Sequence, residues 1–252
     1  MSEAPRLPPA YRLVALDSVG STNDEAKRLA QEGAPEGTLV WAREQTAGRG
    51  RQGSEWTSPR GNLYLSLVLR PEGPPSEAAQ LAFVACLGVG GMLGSFATPL
   101  TPMTYKWPND VLLAGRKVAG VLLEAESKGD ALDWLVVGVG VNLVSAPPDA
   151  RHPATDLRSE AENPVSVEAA LESFARHFLT WVSRWTGDGF GPVREAWRAR
   201  AAHLGKEIEV RLPNETLTGV FADLGANGEL LLDTAAGRRI VTAGDVHLPG
   251  MG

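Results

Sequence analysis

The chain has 252 residues, 43% of them hydrophobic and 21% charged, with a formal net charge of −6. That length admits one large domain or a large one with a small companion, and the acidic balance excludes a general nucleic-acid-binding surface. Cys86 is the single cysteine, so no internal disulfide forms; no apolar run is long enough to span a membrane and the Pro-rich start lacks a signal-peptide core, so a cytoplasmic protein is expected.

Residues 11–16 read as a short strand, and Ser21-Thr22-Asn23 opens a helix that ends before Gly33-Ala34-Pro35. Thr22-x-x-Glu25 has the form of a capping box. The helix start is readable as a cap alone or as free N–H groups able to hold a carboxylate or phosphate. A strand over residues 38–44 follows. Next comes Gly48-Arg49-Gly50-Arg51-Gln52-Gly53, three glycines and two arginines in six positions. Such a loop combines backbone freedom with guanidinium charge and suits an anion with several oxygens. Its Gly-x-Gly-x-x-Gly spacing matches the dinucleotide fingerprint, which requires a helix starting within the glycines. Pro59 and Gly61 follow instead, then a second strand over residues 63–69, so that reading fails; a solvated loop without a ligand stays open at this point.

An apolar helix is expected over residues 77–96, packed closely enough to offset its glycines. Cys86 lies within it and reads as a buried structural thiol. A hairpin is expected next, with residues 103–113 as one arm, Ala114-Gly115 as the turn and residues 117–126 as the other. A turn at Lys128-Gly129-Asp130 leads to a third strand over residues 132–143. Within the first arm, Tyr105-Lys106-Trp107-Pro108-Asn109-Asp110 interrupts the strand pattern, since proline removes a ladder donor. Gly120 and Gly138 lie on strands and imply close approach of a ligand or another backbone.

After a long polar connection, residues 167–185 and 193–204 read as helices whose aromatic residues are core. From residue 205 the pattern changes to four short strands, over residues 206–212, 216–224, 229–233 and 238–242, joined by tight turns. They read as a small β-barrel appended to an α+β domain. The expected division is 1–204 and 205–252. The four histidines (His152, His177, His203, His247) stand far apart, without paired zinc-ligand spacing.

A Gly/Arg loop, Lys117, an interrupted strand bearing Asn109 and Asp110, and a polar helix start together suit a site where anionic reactants meet. Two like charges 4 Å apart repel by about 4 kcal/mol in a partly shielded site, so positive charge between them is required.

These segments, with Trp56-x-Ser58-Pro59-x-Gly61-Asn62-Leu63-Tyr64, Lys106-Trp107-Pro108-Asn109-Asp110, Lys117-x-Ala119-Gly120 and Gly138-x-Gly140-x-Asn142 in the same order, resemble the biotin protein ligases over nearly the whole chain. The resemblance implies a catalytic domain related to class II aminoacyl-tRNA synthetases and an SH3-like C-terminal domain. It implies a two-step ligation: biotin and MgATP give biotinyl-5′-AMP and pyrophosphate, and the activated carboxyl then passes to a lysine of a biotin carboxyl carrier protein. It assigns Ser21, Thr22, Asn23 and Gln45 to the biotin rings, and Arg49, Gly50 and Arg51 to a loop that orders over biotin and the adenylate. Lys117 would hold the biotin carboxylate and the phosphate, and Gly120 and Gly138 would let the biotin chain lie on the sheet. Trp56 would stack on adenine, Asn109 and Asn142 would belong to the nucleotide side, and Asp110 would orient or deprotonate the acceptor lysine. The Mg²⁺ ligands are not specified, and a homodimer is left open.

Two departures stand out. Many members carry a basic residue just before the Trp56 position, where this chain has Ser54-Glu55, so phosphate attraction is weaker at that end of the loop. Only about ten residues precede the first strand, too few for the N-terminal helix-turn-helix of bifunctional members, so repressor function is expected to be missing. The rivals are a lipoate or octanoate protein ligase of the same superfamily and a non-catalytic biotin- or nucleotide-binding module.

Overall fold

The computed structural model describes residues 4–74, 77–129, 131–148, 150 and 153–248. Seven strands form the larger sheet: β1 (Arg12–Leu16), β2 (Thr38–Ala42), β3 (Leu63–Leu69), β4 (Met103–Lys106), β5 (Asp110–Leu113), β6 (Arg116–Lys128) and β7 (Ala131–Val141). Their order is β1-β2-β3-β7-β6-β5-β4. The β1–β2 pair is parallel and the others are antiparallel. Every residue of β2 and β3 is buried, because both faces of the sheet are covered there and alternation is suppressed.

Side-chain parity decides what each face does. Leu39, Trp41, Leu65, Leu67, Val137 and Val139 belong to the main core, against α2 (Gln80–Gly94). Val40, Val68, Trp134 and Val136 point the other way, against Ala26 and Ala30 of α1 (Thr22–Gln31). Further along β7 and one residue past its end, the positions sharing the parity of Val136 are Gly138, Gly140 and Asn142. There the α1-side face becomes a cavity floor.

Helix α2 is apolar all round, as a helix buried on every side must be. It packs on α3 (Val167–Asp188) and α4 (Phe190–Arg198). Its glycines allow close packing: a Cβ on Gly88 would lie 3.2 Å from Phe178 of α3, and one on Gly90 would lie 2.1 Å from the Tyr105 hydroxyl of β4. Cys86 is buried.

The smaller sheet contains β8 (Glu207–Arg211), β9 (Thr216–Leu224), β10 (Leu230–Thr234), β11 (Gly237–Val241) and β12 (Asp245–His247), in the order β11-β10-β9-β8-β12. All its pairs are antiparallel. The core is continuous across the two sheets, since Ile208, Phe221, Leu230 and Val246 belong to the same buried cluster as Leu39 and Leu65.

Several local expectations are corrected. The expected single arm over residues 103–113 is two strands: β4 and β5 pair antiparallel, with Lys106 opposite Asp110, so the interruption at Trp107-Pro108-Asn109 is a reversal of the chain. The Trp107–Pro108 peptide is cis. The capping box does not form. Ser21 is the N-cap, without a side-chain cap bond, and Glu25 binds Arg28 instead. Helix α4 begins and ends earlier than expected, and the small sheet has a fifth strand, β12. The Ala114-Gly115 turn is as expected, both residues having positive φ, as a two-residue hairpin turn demands. Asp130, His152 and residues 249–252 lie outside the described residues.

Candidate active site

A cavity of about 580 Å³ opens on the α1-side face of the larger sheet. Every residue that the sequence nominated lines it: Ser21, Thr22, Asn23, Gln45, Arg49, Gly50, Arg51, Trp56, Asn109, Asp110, Lys117, Gly120, Gly138 and Asn142. Asp245, which was not nominated, also lines it, and Asp24, Ser66 and Glu124, likewise not nominated, bond to its lining residues Arg49 and Asn23.

At one end the polar groups are locked together. The Gln45 side-chain oxygen accepts from the Thr22 amide at 2.8 Å and from the Thr22 hydroxyl at 3.0 Å, while its Nε2 donates to Ser58 at 3.0 Å. The hydroxyl of Ser66, a buried serine in an otherwise apolar strand, lies 2.5 Å from Asn23 Oδ1 and 2.8 Å from Thr22 Oγ1. Asn23 Nδ2 donates to Glu124 at 2.8 Å. A buried polar network satisfied in this way is rigid.

The Gly/Arg loop folds back on itself. Gly50 N–H donates to Ser54 at 2.7 Å and Trp56 N–H to Gly48 at 3.0 Å. Residues Arg51–Gly53 make a single 3₁₀ turn containing Gln52 at φ 52°, not the helix that a dinucleotide fingerprint requires. Both arginines are engaged. Arg49 binds Asp24 through both terminal nitrogens and lies 3.4 Å from Glu124. The bonds from Arg49 hold the Asp24 carboxyl down at about 2, against partial burial. Burial pushes Glu124 up, but Lys27 at 2.7 Å and Asn23 outweigh it, so its pKa too is lowered. Arg51 reaches the Gly244 carbonyl at 3.3 Å, Asn109 at 3.4 Å and Asp245 at 3.6 Å, linking the loop to the small sheet.

The floor is made by glycines. A Cβ on Gly138 would lie 2.1 Å from Asn23 Oδ1, one on Gly140 2.5 Å from the Trp56 indole, and one on Gly120 3.3 Å from the same ring. The close approach expected at Gly120 and Gly138, of a ligand or another backbone, is made in this structure by side chains, those of Trp56 and Asn23. Lys117 Nζ stands 5.4 Å from the centre of the Trp56 ring and 2.6 Å from Asp110. Asn109 donates to the Val121 carbonyl, and Asn142 to Thr155 at 3.1 Å.

Period-two reading from Gly120 along β6 would have pointed to Glu124, and the lone hydroxyl of β3 to Ser66. Asp245 had no signal, since its strand was unread. Among the described residues no three His, Cys, Asp or Glu side chains group as metal ligands, and no helix is long and apolar enough to cross a membrane.

The arrangement joins a hydrogen-bonded polar cluster, a lysine beside an aromatic ring that rests on glycines, and an arginine-bearing loop in one cavity. Comparison with known proteins gives it a family. The profile of the Biotin/lipoate A/B protein ligase family matches residues 52–199, and that of the Biotin protein ligase C terminal domain matches residues 203–248. The biotin--[acetyl-CoA-carboxylase] ligase of Paracoccus denitrificans is 43% identical over 236 residues, which cover 91% of this chain and 98% of that protein. The chain belongs to the biotin protein ligase family. The bifunctional ligase/repressor BirA of Bacillus subtilis is 32% identical, covering 94% of this chain and 74% of that protein. Among solved biotin protein ligases, the Aquifex aeolicus protein in complex with biotin and ATP superposes with a TM-score of 0.77 at 29% identity, covering 94% of this chain and 97% of that one. The Leishmania major protein in complex with biotinyl-5-AMP gives 0.62 at 29% identity, covering 94% and 100%. The biotin protein ligase fold, a class II aminoacyl-tRNA synthetase-like catalytic sheet with a C-terminal domain, is the fold of this chain.

Proposed function

We infer that the protein activates biotin with ATP as biotinyl-5′-AMP and transfers the biotinyl group to a lysine of a biotin carboxyl carrier protein. The observation that carries this reading is the convergence of all the nominated residues on one cavity, with Lys117 beside Trp56. In the first step the biotin carboxylate attacks the α-phosphorus of ATP and pyrophosphate leaves. In the second the acceptor amine attacks the acyl carbon and AMP leaves.

Ser21, Thr22, Asn23 and Gln45 hold the biotin rings in this reading. Lys117 offsets the repulsion between carboxylate and phosphate, while Arg49, Gly50 and Arg51 cover the mixed anhydride and exclude water. Trp56 stacks on adenine, and Asn109 and Asn142 flank the nucleotide. Asp110, bound to Lys117 in the free protein, is suited to receive the acceptor ammonium once Lys117 has turned to the substrate anions. Mg²⁺ enters with ATP. A magnesium ion held mainly by phosphates and water would have Asp110 and Asp245 as carboxylates lining the same cavity.

Residues 1–204 form the catalytic unit of this reading and 205–252 its small domain. The reading needs no DNA and no membrane, and the lone buried Cys86 suits a reducing cytoplasm. Biotin-dependent exchange of labelled pyrophosphate into ATP tests it. Exchange with biotin and none with lipoate or octanoate is expected. Exchange with lipoate alone would move the protein to the lipoate branch, and biotin binding without exchange would make it a binding module.

A further inference from the structure

Gly120 and Gly140 are direct register partners on β6 and β7, and both present their bare Cα to the cavity. The Trp56 indole lies on them. A Cβ built on Gly140 would stand 2.5 Å from both Cε2 and Nε1 of that ring and 2.9 Å from Cζ2, and one on Gly120 3.3 Å from Cζ3. No hydrogen bond fixes the ring, for its Nε1 is buried without a partner. Steric fit against the two glycines and the Lys117 ammonium, its Nζ 5.4 Å from the ring centre, set its plane. The ring's backbone is bonded to Gly48, so the ring and the Gly/Arg loop move together.

We propose that Gly140, with Gly120, is a positioning residue for nucleotide use: the paired glycines form a flat seat that sets the plane of Trp56, and through it the place of the adenine base. This rests on the adenylate-forming reading above. A methyl group at residue 140 would overlap the indole within van der Waals distance. The neighbour that gives way is a ring on a surface loop and not the backbone of the sheet. The expected consequence is a folded protein whose Trp56 is lifted off its seat. Biotin's polar contacts at Ser21, Thr22, Asn23 and Gln45 lie on other elements and are left in place.

The test is pyrophosphate exchange with the full chain. Gly140→Ala should raise KM for ATP about tenfold or more while KM for biotin stays within about twofold. In a Trp56→Ala background the same substitution should change KM for ATP by no more than about twofold, because two residues acting through one ring are not additive. Multiplying effects, equal rises in both KM values, or an unchanged KM for ATP would each overturn the proposal. Should Gly140→Ala not fold, Gly120→Ala, with its milder contact, should raise KM for ATP about threefold with the same non-additivity; a folded Gly120→Ala with wild-type KM overturns it. Trypsin cleavage after Arg49 and Arg51, measured without any substrate, gives an independent reading. Cleavage should be faster in Gly140→Ala than in wild type, and equal rates count against the seat. If wild-type protein shows no biotin-dependent exchange while this cleavage difference holds, the functional reading fails and the seat stands.

Discussion

Replacing Lys117 by alanine removes the cation paired with Asp110 in the cavity and leaves that carboxylate without it. A unit charge about 4 Å from the reacting anions, in surroundings of effective dielectric about 20, contributes about 4 kcal/mol. If that attraction acts in the transition state of adenylation, its loss slows the reaction by about a thousandfold, each 1.36 kcal/mol being a factor of ten. The structure adds a second consequence. Asp110 is only 13% exposed and is paired with Lys117 at 2.6 Å, so in Lys117→Ala its carboxylate turns from a neutralised partner into a repulsive neighbour of the substrates. Lys117→Ala combined with Asp110→Asn should therefore recover about tenfold over Lys117→Ala alone. The assay is biotin-dependent pyrophosphate exchange at fixed ionic strength, with circular dichroism as the folding control. A Lys117→Ala rate within threefold of wild type would refute the charge argument, and a double variant slower than Lys117→Ala would refute the role given to Asp110.

Two further outcomes follow from the titrating groups. Asp24 should titrate near pH 2 in a carboxyl-carbon NMR experiment, and its midpoint should move up toward the ordinary carboxylate range in Arg49→Ala, since the bonds from Arg49 are the largest cause of its depression. Because the folded-state value is lowered, the pair stabilises the protein above the ordinary carboxylate range and the contribution is lost as pH falls toward 2; with half of the Asp24 side chain exposed, solvent keeps it to a fraction of a kcal/mol. Cys86, fully buried in α2, has its thiol pushed well up by burial, so native protein should leave an aromatic disulfide reagent unreacted and denatured protein should react fully. Rapid native labelling would show that α2 opens far more readily than its packing implies.

The order of elements in the larger sheet's strands and helices was legible because long apolar runs and a two-residue turn leave few alternatives. Residues 103–113 misled for a physical reason: two short strands separated by three residues have the same apolar content as one interrupted strand, and only pairing tells them apart. Thr22-x-x-Glu25 misled because Thr22 and Glu25 found other partners, Gln45 and Arg28. The nominated site residues were readable through the resemblance and through their chemistry. Their partners were not, since Asp24, Glu124 and Asp245 are ordinary surface carboxylates until the fold brings Arg49 and Arg51 to them. Strand β12 is three residues long, too short for a period to register.

The continuous core sets how the molecule can come apart. The turn at Gly228 of the small sheet rests on α2, where a Cβ would lie 2.6 Å from Phe83, and its carbonyl accepts from Trp107 Nε1 at 2.9 Å. Phe83 in turn meets Phe190 and Trp197 edge-on at 5.5 and 5.2 Å. A chain severed after residue 204 would therefore leave two wet apolar faces where one dry seam had been. The small sheet is wedged against α2 and shares its buried cluster with the large one, so loss of either half withdraws packing from the other.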